Sequence, residues 1–373
     1  MDKLQLYILK STFENLPDKW GISEYADVHY SEVMKDLYLD DFPNAWKDES
    51  IRNKAGTIGA NDYFNKWTGE EFISLEDTRL NEIYKLVKDE LADGSIIDGK
   101  RTGIPLSGGN HQLLFYNKEF VDHAPTTFDE LIKMSEEIKE RYKLEYAFVF
   151  PTGACYFILP ILYGFGAELW SIPDIEPISE EALRKTIVLL KDLIYDRKLL
   201  PVKWEQENSM PYFMEGKAAF CIGGDWNINQ FQKALNYNIG VCEIPKLERE
   251  CKSNGNANYL YVSKYADSKV LDNAFKFCER VLSKEIQHNI VEELYRMPAL
   301  KNYEFDESKH SKIMVDSYKV YKNSFILPPL KEVSHMYHVL ADLLEPNVIV
   351  SDSPEALAKD VIAKLKDTDS YYK

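Results

Sequence analysis

Three short stretches of this chain carry residue types suited to holding a neutral, hydroxyl-rich molecule. In FMEGKAAFCIGGDWNINQF an apolar run stops at Gly223–Gly224 and presents Asp225 and Trp226 at a helix start. An indole can cover the apolar C–H face of a polyol while a neighbouring carboxylate accepts its hydroxyl hydrogen bonds. Tyr156 follows another strand-like run and offers a second aromatic face. Asn110 and His111 follow Gly108–Gly109, where glycine permits close backbone approach, and add polar groups beside an apolar strand. Each residue also has a plainer reading. Trp226 can pack into an interior, because tryptophan is usually well buried. Asp225 can cap the helix beginning near Asn227. Tyr156 sits in the simply apolar CYFILP, and Asn110 and His111 can be solvating residues of a glycine-rich loop.

Other chemistry finds less support. His335 and His338 share a helical face but have no third ligand and no HExxH pattern, and His111 has no partner at ligand spacing, so no metal is expected. Gly216–Lys217 lacks the earlier glycine of a P-loop. No GxSxG occurs and no Ser-His-Asp set is suggested by spacing. Paired carboxylates of the glycosidase kind need only spatial proximity, so sequence leaves them open. Cys221 and Cys242 fall in apolar runs and Cys278 on a helical stripe, which reads as core; Cys155 differs in adjoining Tyr156. No cofactor is expected.

The elements that must position these residues are well punctuated. Leu80, Ile83, Tyr84, Val87 and Leu91 follow the helical period, with Gly94 placed to end the helix. Thr127 and Glu130 predict a capping box after Pro125. Further apolar stripes run through Leu183, Ile187, Leu190 and Ile194, and through Leu271, Ala274, Phe275, Cys278, Val281 and Leu282. Ser353 and Pro354 open a last helix whose buried face is Leu357, Val361 and Leu365. Between the helices lie strand-length runs at Leu113–Tyr116, Ala147–Phe150, Ala218–Ile222, Ile239–Ile244 and Tyr259–Ser263. The alternation predicts an α/β chain with largely parallel sheets, whose ligands would bind beyond the carboxyl ends of strands.

Composition agrees with a globular protein of about two domains. The 373 residues are 45% hydrophobic and 13% aromatic, enough for full cores. A net charge of -16 makes nucleic acid and anionic membranes poor partners. The 5 cysteines include no CxxC pair, so no disulfide framework is indicated. The uncharged run 147–167 is long enough to span a bilayer, but Pro151, Gly153, Pro160, Gly164 and Gly166 interrupt it. It reads as a buried strand, a turn and a short buried helix. The opening MDKLQLYILKS lacks a basic n-region and a long apolar stretch, so any export signal encoded by the gene is expected to have been removed.

Five segments in order resemble the extracellular solute-binding proteins of ABC importers, in the large carbohydrate-binding family that includes maltose-binding protein. They are DGKRTGIP followed by LLFYNKEF, then APTTFDEL, GACYFILPILYGFGAELW, FMEGKAAFCIGGDW and finally LPPLKEVSHMYHVLADLLEPNVIVSDSPEALAKDV. The resemblance implies a two-lobed periplasmic-binding-protein-like α/β fold with a hinge and an interlobe cleft. The first lobe would comprise residues 1–108 and 256–305, the second 109–255 and 306–373. Trp226 and Tyr156 match positions where the family places sugar-stacking aromatics, and Tyr337 lies where its C-terminal helical segment contributes another. The resemblance also implies a carbohydrate ligand (oligosaccharide or polyol), permease subunits as partners, no catalysis, an extracellular or periplasmic cell-surface location, and a monomer.

The N-terminus departs from the family pattern of strand, long helix, second strand and Pro-Asp segment. LQLYIL suits the first strand, and ADVHYSEV resembles the Pro-Asp segment with Ala26 in place of proline. Only about twenty residues separate them, and an aromatic-rich region with Trp46, Tyr63, Phe64 and Trp67 follows. This predicts an abbreviated or rearranged first lobe. Two alternatives stay open: a degenerate receptor acting as a sensory or interaction module, and a hydrolase or transferase on the same scaffold. The thiaminases of this fold carry a cysteine nucleophile in a stretch that here reads PLSGGNHQLLFYN, without cysteine.

Overall fold

The computed structural model describes residues 3–10, 20–32, 42–60, 71–76, 78–97, 99–168 and 178–367. Tyr63, Phe64 and Trp67 of the aromatic-rich region, Asp98, and the end of the glycine-rich segment at Leu169–Trp170 lie outside them. The principal strands are β1 (Leu4–Leu9), β2 (Ala26–Ser31), β3 (Ala55–Ala60), β4 (Gly103–Gly109), β5 (Gln112–Asn117), β6 (Phe148–Val149), β7 (Phe220–Gly224), β8 (Ile239–Cys242), β9 (Asn254–Val262), β10 (Met297–Pro298) and β11 (Phe325–Ile326). The chain divides into two compact units. One comprises Met1–Asn110, Asn256–His310 and Leu327–Lys331; the other comprises His111–Gly255, Ser311–Ile326 and Glu332–Lys373.

Unit 1 is built on a sheet of order β10-β4-β9-β3-β1-β2. β1 pairs in parallel with both β2 and β3, whereas β9 runs antiparallel to β3 and β4, and β10 antiparallel to β4. Leu4, Leu6 and Ile8 of β1 are fully buried while their neighbours are half-buried, the alternation of a strand with one face on the core. All nine residues of β9 are buried, as its place inside the sheet demands. The expectation for the N-terminus is corrected here. ADVHYS is the strand β2 at the edge of the sheet, and the strand beside β1 on its inner side is AGTIGA, β3. The second strand that seemed missing is thus present. β3 escapes sequence reading because four of its six residues are alanine or glycine, which leaves only Thr57 and Ile58 to signal a strand.

The single helix expected from Leu80 to Leu91 is also two pieces, a 3-10 helix Arg79–Lys85 and a short α-helix Asp89–Asp93. The backbone between them is drawn into strand-like pairing: Lys88 N donates to Ala299 O at 3.0 Å, and Lys301 N donates to Leu86 O at 2.7 Å. Tertiary hydrogen bonds here override a helical apolar period.

Unit 2 holds a second sheet, of order β8-β5-β7-β6. β5 runs antiparallel to β7 and β8, and only β6 and β7 are parallel. The two units therefore correct the expectation of largely parallel sheets: both are mixed. Beneath the sheet Phe115, Phe213 and Phe231 pack ring on ring, with centroids 4.8 and 4.9 Å from Phe231 to the other two. The capping box is present with one change: Thr127 Oγ1 accepts from Glu130 N at 3.1 Å, while the Glu130 carboxylate reaches Thr126 N at 2.7 Å. Ser353 Oγ caps the helix Pro354–Lys366 through Ala356 N. The run from Phe148 resolves into β6, a turn, a 3-10 helix Cys155–Ile158 and a short helix Leu159–Gly164. Among the described residues no helix is long and apolar enough to cross a membrane.

All five cysteines are free thiols. Burial pushes the Cys251 thiol up to about 12 and raises those of Cys221 and Cys278 further. At pH 8, Cys251 then holds about a thousandfold less thiolate than an ordinary thiol. We expect these three to resist iodoacetamide in the folded protein and to be labelled on denaturation, as read by peptide mass spectrometry. Rapid native labelling of any of them would contradict the packing described.

Candidate functional site

The aromatic residues singled out above come together in unit 2. β7 ends at Gly224, and a 3-10 turn, Asp225–Asn227, carries the chain into the helix Ile228–Ala234. The indole of Trp226 folds back over Gly224 so closely that a Cβ on that glycine would lie 2.1–2.3 Å from three of its six-membered-ring atoms. The Trp226 ring lies 6.1 Å from the Tyr156 ring at 45°, and 6.4 Å from Phe157 at 61°. Trp226 and Tyr156 are half-buried, whereas Phe157 is 1% exposed and forms the floor. Trp226 is therefore not sealed within a core.

The placement of Tyr156 depends on a residue that sequence reading missed. Gln112, fully buried, donates through Nε2 to Tyr156 O at 2.9 Å and accepts at Oε1 from Asn254 N at 2.7 Å. Ser253 Oγ donates to the Gln112 carbonyl at 2.7 Å, and the Tyr156 hydroxyl donates to Asn254 O at 3.2 Å. The available signal was a glutamine at the head of the apolar run LLFY, where an unpaired amide would be costly. Gln112→Leu should remove the side-chain acceptor of the Asn254 N–H and one of two donors to the Tyr156 carbonyl, which also accepts from Leu159 N, at a cost of roughly 1–3 kcal/mol. A thermal melt should show the loss. Gln112→Glu, which can still accept from Asn254 N, should lose less.

Asp225 and His111 differ from what was expected of them. Both are 0% exposed and they face each other, His111 Nδ1 lying 3.4 Å from Asp225 Oδ2. His111 Nε2 lies 3.0 Å from Ser317 Oγ and 3.1 Å from Ser317 O. Asp225 is not the cap of the following helix either; Asn227 Oδ1 accepts from Gly224 N at 3.0 Å instead. The expectation that these two side chains meet ligand hydroxyls is corrected on burial: their polar atoms are turned to partners inside unit 2. Ser317, His111 and Asp225 line up in the order of a nucleophilic triad, yet Ser317 is also 0% exposed, which removes the access an acyl substrate needs.

The remaining candidates are spread out. Asn110 belongs to unit 1, where its Oδ1 accepts from Arg296 Nη1 at 3.1 Å. Its φ of 50° follows Gly109 at 131°, a left-handed junction that asparagine tolerates better than most residues. Tyr337 is half-buried on the helix Lys331–Leu343, and its carbonyl accepts from Cys155 Sγ at 3.4 Å, which sets it beside the segment bearing Tyr156. His335 Nε2 lies 2.8 Å from Lys364 O and His338 Nδ1 2.8 Å from Ser334 O. Among the described residues no group of three or more His, Cys, Asp or Glu is arranged to hold a metal.

Comparison with known proteins follows the same lines. A family model described as bacterial extracellular solute-binding protein matches residues 48–313. A galactooligosaccharide-binding protein of Bacillus subtilis is 24% identical over 238 residues, covering 59% of this chain and 54% of that protein. A maltodextrin-binding protein of the same organism is 25% identical over 290 residues, covering 73% of this chain and 67% of the relative. The chain thus spans about half to two thirds of the length of these curated relatives. In structure, the maltose/maltodextrin-binding domain of Bdellovibrio bacteriovorus bound to maltotriose superposes with a TM-score of 0.83 at 19% identity, covering 99% of this chain and 100% of that one. A maltose-bound protein of T. maritima gives 0.79 at 18% identity, covering 97% and 99%. The α/β fold of these binding proteins is the fold of this chain.

Proposed function

Because the chain belongs to the bacterial extracellular solute-binding proteins, we propose that it captures an oligosaccharide or related polyol for delivery to the permease subunits of an ABC transporter. The observation that carries this reading is the half-buried pair of rings, Trp226 and Tyr156, 6.1 Å apart above the Phe157 floor. Sugars present flat C–H faces, and aromatic planes bury them while the hydroxyl edge stays available for hydrogen bonds. In our reading Tyr337, whose carbonyl accepts from Cys155 Sγ next to Tyr156, is a further ligand contact within unit 2, and Asn110 is a candidate contact of unit 1. Its relatives are substrate-binding proteins. In our reading this chain likewise releases its ligand unaltered, acts as a monomer without metal or cofactor, and works outside the cytoplasmic membrane. The two units then serve as the two lobes, with residues 1–108 and 256–305 in the first and 109–255 and 306–373 in the second.

Relatives described as binding galactooligosaccharide and maltodextrin, and a neighbour bound to maltotriose, define the panel for testing. Isothermal titration with maltotriose, galactooligosaccharides and simple polyols should find one class bound at micromolar affinity or better, about -8 kcal/mol. Ligand at a hundredfold excess over Kd would then stabilise the fold by about 2.7 kcal/mol, a visible rise in melting temperature. Chromatography of the recovered sugar should show it intact. Turnover would move the chain to the enzymes of this scaffold, and neither binding nor turnover would favour an interaction role.

A further inference from the structure

We propose that Arg296 is a positioning residue for Asn110, turning its side-chain amide so that the Nδ2 hydrogens are offered to the ligand. The inference rests on the reading of Asn110 as a ligand contact of unit 1. Its basis is the frame that brings the two side chains together. β4 lies between β10 and β9, with Gly108 opposite Met297 and Gly109 opposite Asn256. Asn110 therefore leaves a strand that is paired on both edges. It stands just beyond the carboxyl end of that strand, where ligands of α/β sheets bind.

The helix Lys284–Leu294 delivers Arg296 to the same place. It ends on Tyr295 in the left-handed region, at a φ of 55°, and Arg296 N donates back to Ile290 O at 3.2 Å. β10 begins one residue later, and its antiparallel register sets Arg296 across from Gly109. There Arg296 is 5% exposed, and its Nη1 donates to Asn110 Oδ1 at 3.1 Å.

That bond decides which way the amide points. A guanidinium has donors only, so the branch of the amide facing Arg296 must be its oxygen. The nitrogen takes the other branch, and its two hydrogens let a ligand acceptor join any protein partner there. Five donors likewise let Arg296 hold Asn110 and other groups at once. Asn110 is half-buried and Arg296 buried, so a ligand can reach the amide while its anchor stays covered. The ligand group met by Asn110 is therefore a hydrogen-bond acceptor, such as a hydroxyl or ring oxygen of a sugar.

A double-variant cycle tests this. Asn110→Gly removes the amide without straining the backbone, because glycine tolerates the φ of 50°. It should weaken maltotriose binding about fivefold. Arg296→Met should cost about the same in the wild-type background and less than about twofold beside Asn110→Gly. Equal losses in both backgrounds would mark Arg296 as a packing residue and overturn the proposal. If Arg296→Met does not fold, Arg296→Gln, too short to reach Asn110, runs the same cycle. A nuclear magnetic resonance arm needs no ligand. The Asn110 side-chain N–H signals, assigned by their loss in Asn110→Gly, should move in the Arg296 variant, and unmoved signals would also overturn the proposal. Adding maltotriose to the wild type should move them again; signals indifferent to bound sugar would overturn the donor role. If the wild type binds no sugar, the reading of Asn110 fails, and the ligand-free spectra still decide whether Arg296 orients the amide.

Discussion

Trp226→Ala should weaken oligosaccharide binding by about thirtyfold or more, the ~2 kcal/mol typical of a central aromatic anchor. The indole is half-buried beside the half-buried Tyr156 and over the buried Phe157, so its removal should take away accessible ring area before core packing. The melting temperature of the ligand-free protein should change little by comparison. Titration calorimetry and a thermal melt on the same preparation separate the two effects. Unchanged affinity would remove the stacking role altogether.

Gly224→Ala should approach the same loss by a different route. Its new Cβ would fall 2.1–2.3 Å from the indole, so the ring must leave its seat. Because the obstructed atoms are the far end of a side chain rather than backbone, the ring can swing away and the fold should survive with a small cost. Affinity should drop about tenfold or more, since the ring no longer lies beside Tyr156. The decisive measurement is the combination: in a Trp226→Ala background, Gly224→Ala should cost almost nothing more. Independent, additive losses would mean that the glycine serves the strand end and not the ring.

Much of the local structure was legible because short-range physics writes it into the chain. The caps at Thr127 and Ser353, the stripe Leu183–Ile187–Leu190, and the runs that became β5, β6, β7, β8 and β9 are set by hydrogen-bonding side chains and apolar period. The resemblance to solute-binding proteins, resting on ordered segments, agreed with the family match and the superposed structures. Where reading failed, a longer-range contact had won. β3 is a strand because β1 and β9 pair on either side of it, despite its alanine and glycine. Leu86–Lys88 left a helical period to pair with residues 299–301.

By itself, the sequence determined the capped helix starts at Thr127 and Ser353 and which segments end in Gly224–Asp225–Trp226 and Cys155–Tyr156, because caps and glycine stops act over a few residues. Tertiary structure alone decided what each polar group meets. Asp225 looked like a hydroxyl acceptor until the β5–β7 register set it against His111, and Ser317 joined them from 206 residues along the chain. Such pairing follows from strand register and helix packing, which no local window of residues contains.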